Sequence, residues 1–381
     1  MKIADIVIDV VRGDSPSVWP RVNRFKGTEP AWGMFLRVVA DDGTEGHRMV
    51  WAAPTMDKGY SRHRVYALAS HILGLIKREL VGRDAADREW LWSQRYIYQW
   101  WGHIEHQSIA AVDEALWDLA GKLAGMPVYK LLGAARHKAP AYASCPYLKE
   151  AERIADLCAQ SKALGYPAFK IKPGGGPVCR IKAVTRLCRE AVGGEMALMI
   201  DGQMQFDLAQ ALDIGRHLQD LDYTWWEDPV PHDRLDWYDE LSRRLSIPIA
   251  YTDHRFVRFS EIAEVLRQHP GIRIVRGDTM RDGLTGLKKL CALAEAYGRN
   301  CEIHAGSPGN LHVLMSVTNC DYWESTLHGV YDPATNKMGR HPEGHPFRVD
   351  EEGFIHALQT PGLGPFHDAD RIAAERVERL A

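Results

Sequence analysis

Two lysines at alternate positions, Lys170 and Lys172, are the first residues in this 381-residue chain whose types and spacing point to chemistry. They lie in the segment Ala-Phe-Lys-Ile-Lys, which is predicted to be a short strand because Pro173 and Gly174 end it. Alternation along a strand places both side chains on one face. Neighbouring ammonium groups disfavour each other's charge, which lowers a lysine pKa toward the range of a general base. The alternative interpretation is a pair of surface lysines on an edge strand.

Other ionisable residues follow later apolar segments at the points where those segments end. They are Asp201, Glu227, Asp253, Asp278, His304 and Glu324. Any one of these side chains is explained by capping of a turn, but the whole series is not. If the segments are parallel strands of one barrel, their carboxyl ends share one face, and the series predicts one site there.

Three of these residues, Asp201, Glu227 and Asp253, end three consecutive predicted strands. Three carboxylates, together with water and substrate oxygens, suit the hard octahedral cation Mg²⁺. The sequence therefore predicts a magnesium site, and the alternative is three separate salt bridges.

The remaining strand-end residues suggest acid/base chemistry around that metal. Lys172 on one side and His304 on the other would bracket a metal-bound substrate, and Asp278 is placed to orient the His304 ring. A base facing a divalent cation favours abstraction of the proton next to a carboxylate, with an enediolate as the product of that step. Glu324, if protonated, would donate a hydrogen bond to the enediolate; the alternative is a salt bridge to a lysine.

The elements that must position these residues alternate regularly from about residue 139. Short apolar strands alternate with amphipathic helices of about a dozen residues, a pattern typical of βα units in a parallel sheet. The predicted strands are 139–144, 168–172, 197–201, 224–227, 247–251, 272–276, 300–304 and 321–325. Eight such units favour an α/β fold of the closed-barrel type over an open sheet.

The first third of the chain has a different pattern. Predicted strands at 3–11, 34–40 and 45–50 precede helical patterns between about 62 and 124, which indicates an α+β domain. Two loops, at about 12–33 and 51–56, are candidate substrate lids because long loops in compact domains are often functional. Their arginines and tryptophans are Arg12, Trp19, Arg21, Arg24, Trp32 and Trp51.

Composition limits the classes of function. The net charge of −3 gives no basic footprint for nucleic acid, and no apolar run approaches the roughly 20 residues of a membrane span. The seven cysteines form no Cys-x-x-Cys pair, and the start of the chain lacks the hydrophobic segment of a signal peptide. A cytoplasmic protein acting on a small molecule is expected.

With these residues in view, the sequence resembles the enolase superfamily, and within it the mandelate racemase subgroup. The resemblance covers nearly the whole chain, and its motifs are specific in combination. They are Ala-x-Asp-x-Ala-Leu-Trp-Asp-Leu-Ala-Gly-Lys at 111–122, Pro-Val-Tyr-Lys-Leu-Leu-Gly at 127–133, Lys-x-Lys at 170–172, Glu-Asp-Pro at 227–229, the Asp278/His304 pair and the closing Pro-Gly-Leu-Gly.

This resemblance implies a fold and a set of roles. An α+β capping domain at 1–130 would close over a modified TIM-type (β/α)7β barrel at 131–330, and a C-terminal segment at 331–381 would return to the cap. Essential Mg²⁺ would be bound by Asp201, Glu227 and Asp253, and the subunits would form a homo-oligomer. Lys172, assisted by Lys170, and the Asp278–His304 dyad match the acid/base pair, and Glu324 matches the carboxyl group that stabilises the enolate.

Two positions depart from the family pattern. The third metal ligand is usually Glu in a Gly-Glu pair, whereas Thr252-Asp253-His254 stands here. Because Asp253 is one methylene shorter, the alternatives are a shift of the metal, a shift of the strand or a contribution from His254. Gln203 occupies a position where many acid-sugar dehydratases of the subgroup carry a histidine acid, which leaves His304 as the expected acid.

Bases on both faces of a substrate allow loss of a β-hydroxyl or reprotonation on the opposite face. Most of the subgroup resembles acid-sugar dehydratases, and the cationic, aromatic lid suits a hydroxylated carboxylate. The expected substrate contacts are Gln203, His254, Trp19, Arg21, Arg24 and Trp51. The sequence therefore favours dehydration of an aldonate or aldarate to a 2-keto-3-deoxy acid. A racemase, epimerase or cycloisomerase and a non-catalytic sugar-acid-binding protein are the alternatives.

Overall fold

A computed structural model describes residues 1–13, 31–52, 60–94, 106–252, 259–304, 306–327, 330–332, 334–365 and 369–381. Within these ranges the strands are β1 (Ile3–Gly13), β2 (Ala31–Ala40), β3 (Glu45–Ala52), β4 (Lys138–Ser144), β5 (Ala168–Ile171), β6 (Ala197–Asp201), β7 (Trp225–Glu227), β8 (Ile249–Tyr251), β9 (Ile272–Gly277), β10 (Asn300–Ile303), β11 (Trp323–Thr326), β12 (Tyr331–Asp332), β13 (Lys337–Met338), β14 (Phe354–His356) and β15 (Arg376–Leu380).

The helices with defined bounds lie mainly between these strands. They are α1 (Tyr60–His71), α2 (Lys77–Leu80), α3 (His106–Leu123), α4 (Val128–Leu131), α5 (Ala151–Ala163), α6 (Val178–Val192), α7 (Leu208–Asp220), α8 (Leu235–Arg244), α9 (Phe259–Gln268), α10 (Thr279–Ala296), α11 (Pro308–Leu314) and α12 (Ala369–Glu375). A π-helical turn at Ile72–Ile76 joins α1 to α2. No helix in the described ranges is long and apolar enough to cross a membrane.

The N-terminal strands form a cap built on an antiparallel sheet. Its strand order is β15-β1-β2-β3, so the last strand of the chain completes the sheet made by the first three. Alternate apolar residues of β1 and β2, such as Ile6, Ile8 and Leu36, are buried against helices α1 and α3. Burial of this apolar surface holds the helices on the sheet.

The second part of the chain forms the barrel. Strands β4 to β10 pair in parallel in chain order, and β11 pairs in parallel with β4, which gives the order β10-β9-β8-β7-β6-β5-β4-β11. A buried cluster of side chains from successive barrel strands, including Tyr142, Met199 and Trp225, fills part of the interior. The rings of Tyr142 and Trp225 meet edge to face at 5.8 Å. This packed interior leaves the carboxyl ends of the strands as the place for a site.

A buried carboxylate joins the two end strands of this order. Glu302 on β10 accepts hydrogen bonds from the backbone N–H groups of Asp321, at 2.9 Å, and Tyr322, at 3.3 Å, just before β11. The Asn300 side chain also donates to Glu302, at 3.2 Å. Burial raises the pKa of Glu302 to about 7. The Glu302 side chain thus bridges the seam between β10 and β11.

The C-terminal segment touches both parts of the molecule. The backbone N–H of Leu363 donates to Asp118 of α3 at 2.7 Å, and the Leu363 carbonyl contacts His312 of α11 at 3.1 Å. Strand β15 then pairs with β1. The exact domain boundaries 1–130, 131–330 and 331–381 stay a prediction.

The predicted barrel strands are confirmed, with ends that differ by one or two residues. The predicted bounds of the first lid, 12–33, are wrong at both edges. Strand β1 continues to Gly13 and β2 begins at Ala31, so both strands extend beyond their apolar patterns. Arg12 and Trp32 are cross-strand partners in β1 and β2, with the Arg12 guanidinium 5.6 Å from the Trp32 ring centroid. Trp51 lies in β3 rather than in a loop.

Candidate active site

Lys170 lies on the buried strand β5, where its ammonium contacts two carboxylates. Its Nζ is 2.7 Å from Glu227 Oε2 and 3.0 Å from Glu324 Oε1. Burial and the Arg276 guanidinium disfavour the charge, but Glu227 and Glu324 outweigh them and hold the pKa of Lys170 well above its usual value. The pKa of Lys170 is therefore raised, contrary to the expectation that neighbouring lysines lower each other's pKa.

The strand reading of the Lys-x-Lys motif is confirmed, and both lysines face inward. Lys172 follows β5 directly and is buried, with Nζ 3.6 Å from Glu324 Oε1. Their burial excludes the alternative of two surface lysines. The position of β5 between β4 and β6 excludes an edge strand.

Glu324, on β11, is the point where the cations converge. Besides the two lysines, it accepts hydrogen bonds from Arg276 Nη2 and the Ser144 hydroxyl, each at 2.6 Å. Burial favours the protonated form, but Lys170, Lys172, Arg276 and His304 together hold the pKa of Glu324 well below its usual range. Glu324 forms salt bridges to Lys170 and Lys172, as the alternative interpretation expected. Donation of a hydrogen bond from a protonated Glu324 to an enediolate stays a prediction.

Arg276 is one site residue that the sequence reasoning missed. It is fully buried on β9, with Nε 2.9 Å from Glu227 Oε1, Nη2 on Glu324 and Nη1 3.2 Å from the Glu302 carbonyl. The Arg276 guanidinium therefore ties together two carboxylates that come from separate strands. The available signal was a charged residue two positions before Asp278 on an apolar strand, which places both residues on one face.

Asp201 and Glu227, two of the three predicted metal ligands, are brought together. They are cross-strand partners at the ends of β6 and β7, and both are buried. Each Glu227 oxygen accepts one cationic donor and keeps a second lone pair, so carboxylate oxygens suited to Mg²⁺ are present at this edge.

The third predicted ligand, Asp253, lies outside the described residues, as does His254. Within the described ranges no three His, Cys, Asp or Glu side chains are grouped closely enough to hold a metal. The three-carboxylate ligand set stays a prediction.

His304 and Asp278 form the predicted dyad. They follow the adjacent strands β10 and β9, and His304 Nδ1 is 3.0 Å from Asp278 Oδ2. Burial alone favours a protonated Asp278, but the hydrogen bond and charge of His304 prevail, and the pKa of Asp278 is lowered. The ionised Asp278 accepts the hydrogen bond, so Nδ1 carries the proton. Proton transfer through the other ring nitrogen, Nε2, stays a prediction.

Gln203 and Tyr147 form a polar pair beside Lys172. The Gln203 side-chain amide donates to the Tyr147 hydroxyl, and Lys172 Nζ is 5.8 Å from the Tyr147 ring centroid. Sequence reasoning did not select Tyr147, which lies in the loop after β4 where no periodic pattern marks it. A contact between Gln203 and a substrate stays a prediction.

Strained backbone marks the same edge of the barrel. Positive φ values occur at Gln203 (53°), Met204 (60°), Asp228 (42°) and Thr252 (84°), which follow β6, β7 and β8. The Thr252 N–H donates to Asp228 Oδ1 at 3.1 Å, which helps to hold this conformation. Non-glycine residues in such regions cost about 1–3 kcal/mol each and cluster at functional sites.

The predicted lid contacts have different outcomes. Trp19, Arg21 and Arg24 lie outside the described residues. Trp51 packs in a cap cluster with Val11, Phe35 and Ile372. A contact between Trp51 and a substrate stays a prediction.

Together, the fold and the site define a capped barrel enzyme with lysine and histidine at one end. Comparison with known proteins identifies the family. Residues 8–133 match the mandelate racemase / muconate lactonizing enzyme N-terminal domain, and residues 153–371 match the enolase C-terminal domain-like family. The chain belongs to this family of enzymes, as its motifs predicted.

Similar proteins carry out related reactions. An arabinonate dehydratase of Saccharolobus solfataricus is 30% identical over 281 residues, 68% of this chain and 74% of that protein. A D-galactonate dehydratase of Cronobacter sakazakii is 28% identical over 363 residues, 91% of each chain.

Solved structures agree on the fold. D-glucarate dehydratase from Agrobacterium tumefaciens, complexed with magnesium, has a TM-score of 0.83 and 28% identity, with 99% of this chain and 100% of that chain covered. A racemase from Streptomyces coelicolor with bound magnesium has a TM-score of 0.81 and 24% identity, with 98% and 100% covered.

Proposed function

We propose that this protein is a Mg²⁺-dependent acid-sugar dehydratase that converts an aldonate or aldarate to a 2-keto-3-deoxy acid. The observation that carries the proposal is the presence of Lys172 and the Asp278–His304 dyad at one end of the barrel. The charges of Lys172 and His304 both lower the pKa of Glu324. Sugar-acid dehydratases among the similar proteins support the substrate class.

The metal would be held by Asp201, Glu227 and Asp253. Bound Mg²⁺ supplies positive charge that favours the negative charge developing on the substrate carboxylate. Lys170 donates to one oxygen of Glu227 and Arg276 to the other, so this carboxylate is oriented before any ligand binds. Removal of the metal with EDTA is expected to abolish turnover, and Mg²⁺ is expected to restore it.

The proton transfers are assigned to the two sides of the site. The Lys172 amine takes the proton from the carbon next to the carboxylate, and the C–H electron pair passes into an enediolate. The enediolate then expels the hydroxyl of the neighbouring carbon, and His304 donates the proton that makes the leaving group water. The resulting enol takes up a proton at carbon 3 to give the 2-keto-3-deoxy acid.

A screen of purified protein with Mg²⁺ against a broad acid-sugar library tests the proposal. The expected result is a 2-keto acid from at least one aldonate or aldarate. Absence of a 2-keto acid across the library would rule out dehydration.

Racemisation or epimerisation is the second candidate, and Gln203 favours it. Its amide is engaged with Tyr147 at the position where many related dehydratases have an acid histidine. Exchange of the α-proton with deuterated solvent without loss of water would select this candidate.

A further inference from the structure

A buried asparagine contacts both members of the acid/base dyad. Asn310, the third residue of α11, is fully buried. Its Nδ2 donates to Asp278 Oδ1 at 3.0 Å and to the His304 carbonyl at 2.8 Å. Its Oδ1 accepts from the Thr279 N–H at 2.8 Å. These partners fix the amide orientation, because the NH₂ group meets only acceptors and the oxygen meets a donor.

These contacts divide the two oxygens of Asp278 between two tasks. Oδ1 accepts from Asn310 and from the Met280 N–H at 2.9 Å, while Oδ2 faces His304 Nδ1. Asn310 also holds the backbone of His304. One side chain therefore sets both the direction of the carboxylate and the position of the imidazole.

The cap domain reaches the same turn. Glu114 of α3 is fully buried, and its Oε2 is 3.3 Å from the Ser307 hydroxyl, which is 3.0 Å from the Thr279 hydroxyl. On its cap side, Glu114 Oε1 is 3.3 Å from an Arg48 nitrogen on β3. A continuous polar path thus runs from the cap sheet to Thr279 and Asn310.

Gly309 permits this close approach. A Cβ on Gly309 would lie 2.8 Å from Glu114 Oε2 and 3.0 Å from Thr279 Oγ1, distances that leave no room for a side chain. The glycine immediately precedes Asn310. The sequence Ser307-Pro308-Gly309-Asn310 therefore fits a turn that receives the cap carboxylate and presents the amide to the dyad.

We propose that Asn310 is the positioning residue of the Asp278–His304 dyad, and that Glu114 fixes its turn from the cap. The inference rests on the proposed function, in which this dyad transfers a proton. Small displacements of a catalytic group cost about 10²-fold in rate, so a side chain that holds both partners has a large effect without touching substrate.

Asn310→Asp tests the role, because it keeps the shape and the acceptor for Thr279 but replaces the donor to Asp278 with an oxygen. The expected kcat is about 10- to 100-fold lower, with KM within about twofold of wild type. A second carboxylate beside Asp278 favours positive charge nearby, so the His304 imidazole is expected to titrate at a higher pH than in wild type.

The His304 titration is read by NMR on protein with labelled histidine imidazoles, with His304→Gln used to assign the signal. Other charged groups that act on the dyad are Arg281, Glu114 and Glu324, and all three are kept in this comparison. An Asn310→Asp protein with wild-type kcat and an unmoved His304 titration would overturn the proposal. The titration needs no substrate, so it decides the proposal even if no acid sugar is turned over.

Asn319→Asp is the matched control. The Asn319 side chain donates to the carbonyls of Cys291 at 2.9 Å and Arg299 at 3.1 Å, near the opposite ends of the strands. This variant is expected to lose stability with the His304 titration unchanged. If it shifts that titration as much as Asn310→Asp does, general destabilisation explains both, and the proposal fails.

Glu114→Gln tests the part of the proposal that concerns the cap. Loss of the Glu114 charge weakens the link between Arg48 and the turn. The expected result is a fall in kcat of about threefold, which is within the range for mutations that couple to a site without contacting its ligand. The double variant Glu114→Gln/Asn310→Asp is expected to have the kcat of Asn310→Asp alone, because both act through one path. Effects that multiply would contradict the link to the cap.

Discussion

At the scale of single residues, Arg276 shares with Lys170 the neutralisation of two buried carboxylates. Its guanidinium contacts Glu227 and Glu324, and all three side chains are fully buried. Removal of one partner from a buried charge network costs about 3–5 kcal/mol, because a charge is left without compensation. Arg276→Met is expected to lower the free energy of unfolding by about 3 kcal/mol, measured by denaturant titration in EDTA.

Arg273→Met provides the comparison. Arg273 lies on the same strand but is exposed, so the same substitution is expected to change stability by less than about 0.5 kcal/mol. Equal unfolding curves for Arg276→Met and wild type would show that the guanidinium is not needed to neutralise the two carboxylates.

At the scale of elements, the seam between β10 and β11 depends on Glu302. Burial raises the pKa of its carboxyl from 4.5 to about 7 in the folded protein. Between these values the folded state holds a proton that the unfolded state has lost, so stability falls as pH rises through this window. The contribution is about 3 kcal/mol, because one pKa unit corresponds to about 1.4 kcal/mol.

Glu302→Gln removes this titration. The free energy of unfolding of the variant is expected to fall less between pH 4.5 and pH 7 than that of wild type. Urea unfolding at several pH values measures the difference in slope, which is independent of any constant loss from the altered hydrogen bonds. Identical slopes would mean that Glu302 does not titrate in this window.

At the scale of the whole molecule, the sequence predicts the strands of the barrel, but it does not predict which side chains from distant parts of the chain contact each other. The eight barrel strands and their polar ends follow from alternation along the chain, which is a local property. The partners of Arg276, Glu227 on β7 and Glu324 on β11, lie about 50 residues before and after it in the sequence. The charge of Glu324 depends on cations from three strands, so its ionised state was not readable from its own position.

Asn310 shows the same limit between domains. It lies in the first turn of the short helix α11, and the close neighbours of Gly309 include Glu114 of the cap, 195 residues earlier. The family motifs predicted that the cap and the barrel are in contact, but they did not predict which side chains make that contact.

The most direct test of the central claim follows the α-proton in deuterated water, for an acid sugar that the wild-type protein dehydrates. Wild type should form the 2-keto-3-deoxy acid with deuterium at carbon 3. Lys172→Ala should neither exchange the α-proton nor form product, whereas His304→Asn should still exchange that proton while forming at least about 100-fold less product. Lys172→Ala with wild-type turnover would contradict the assignment of Lys172 as the base, and with it the proposed mechanism.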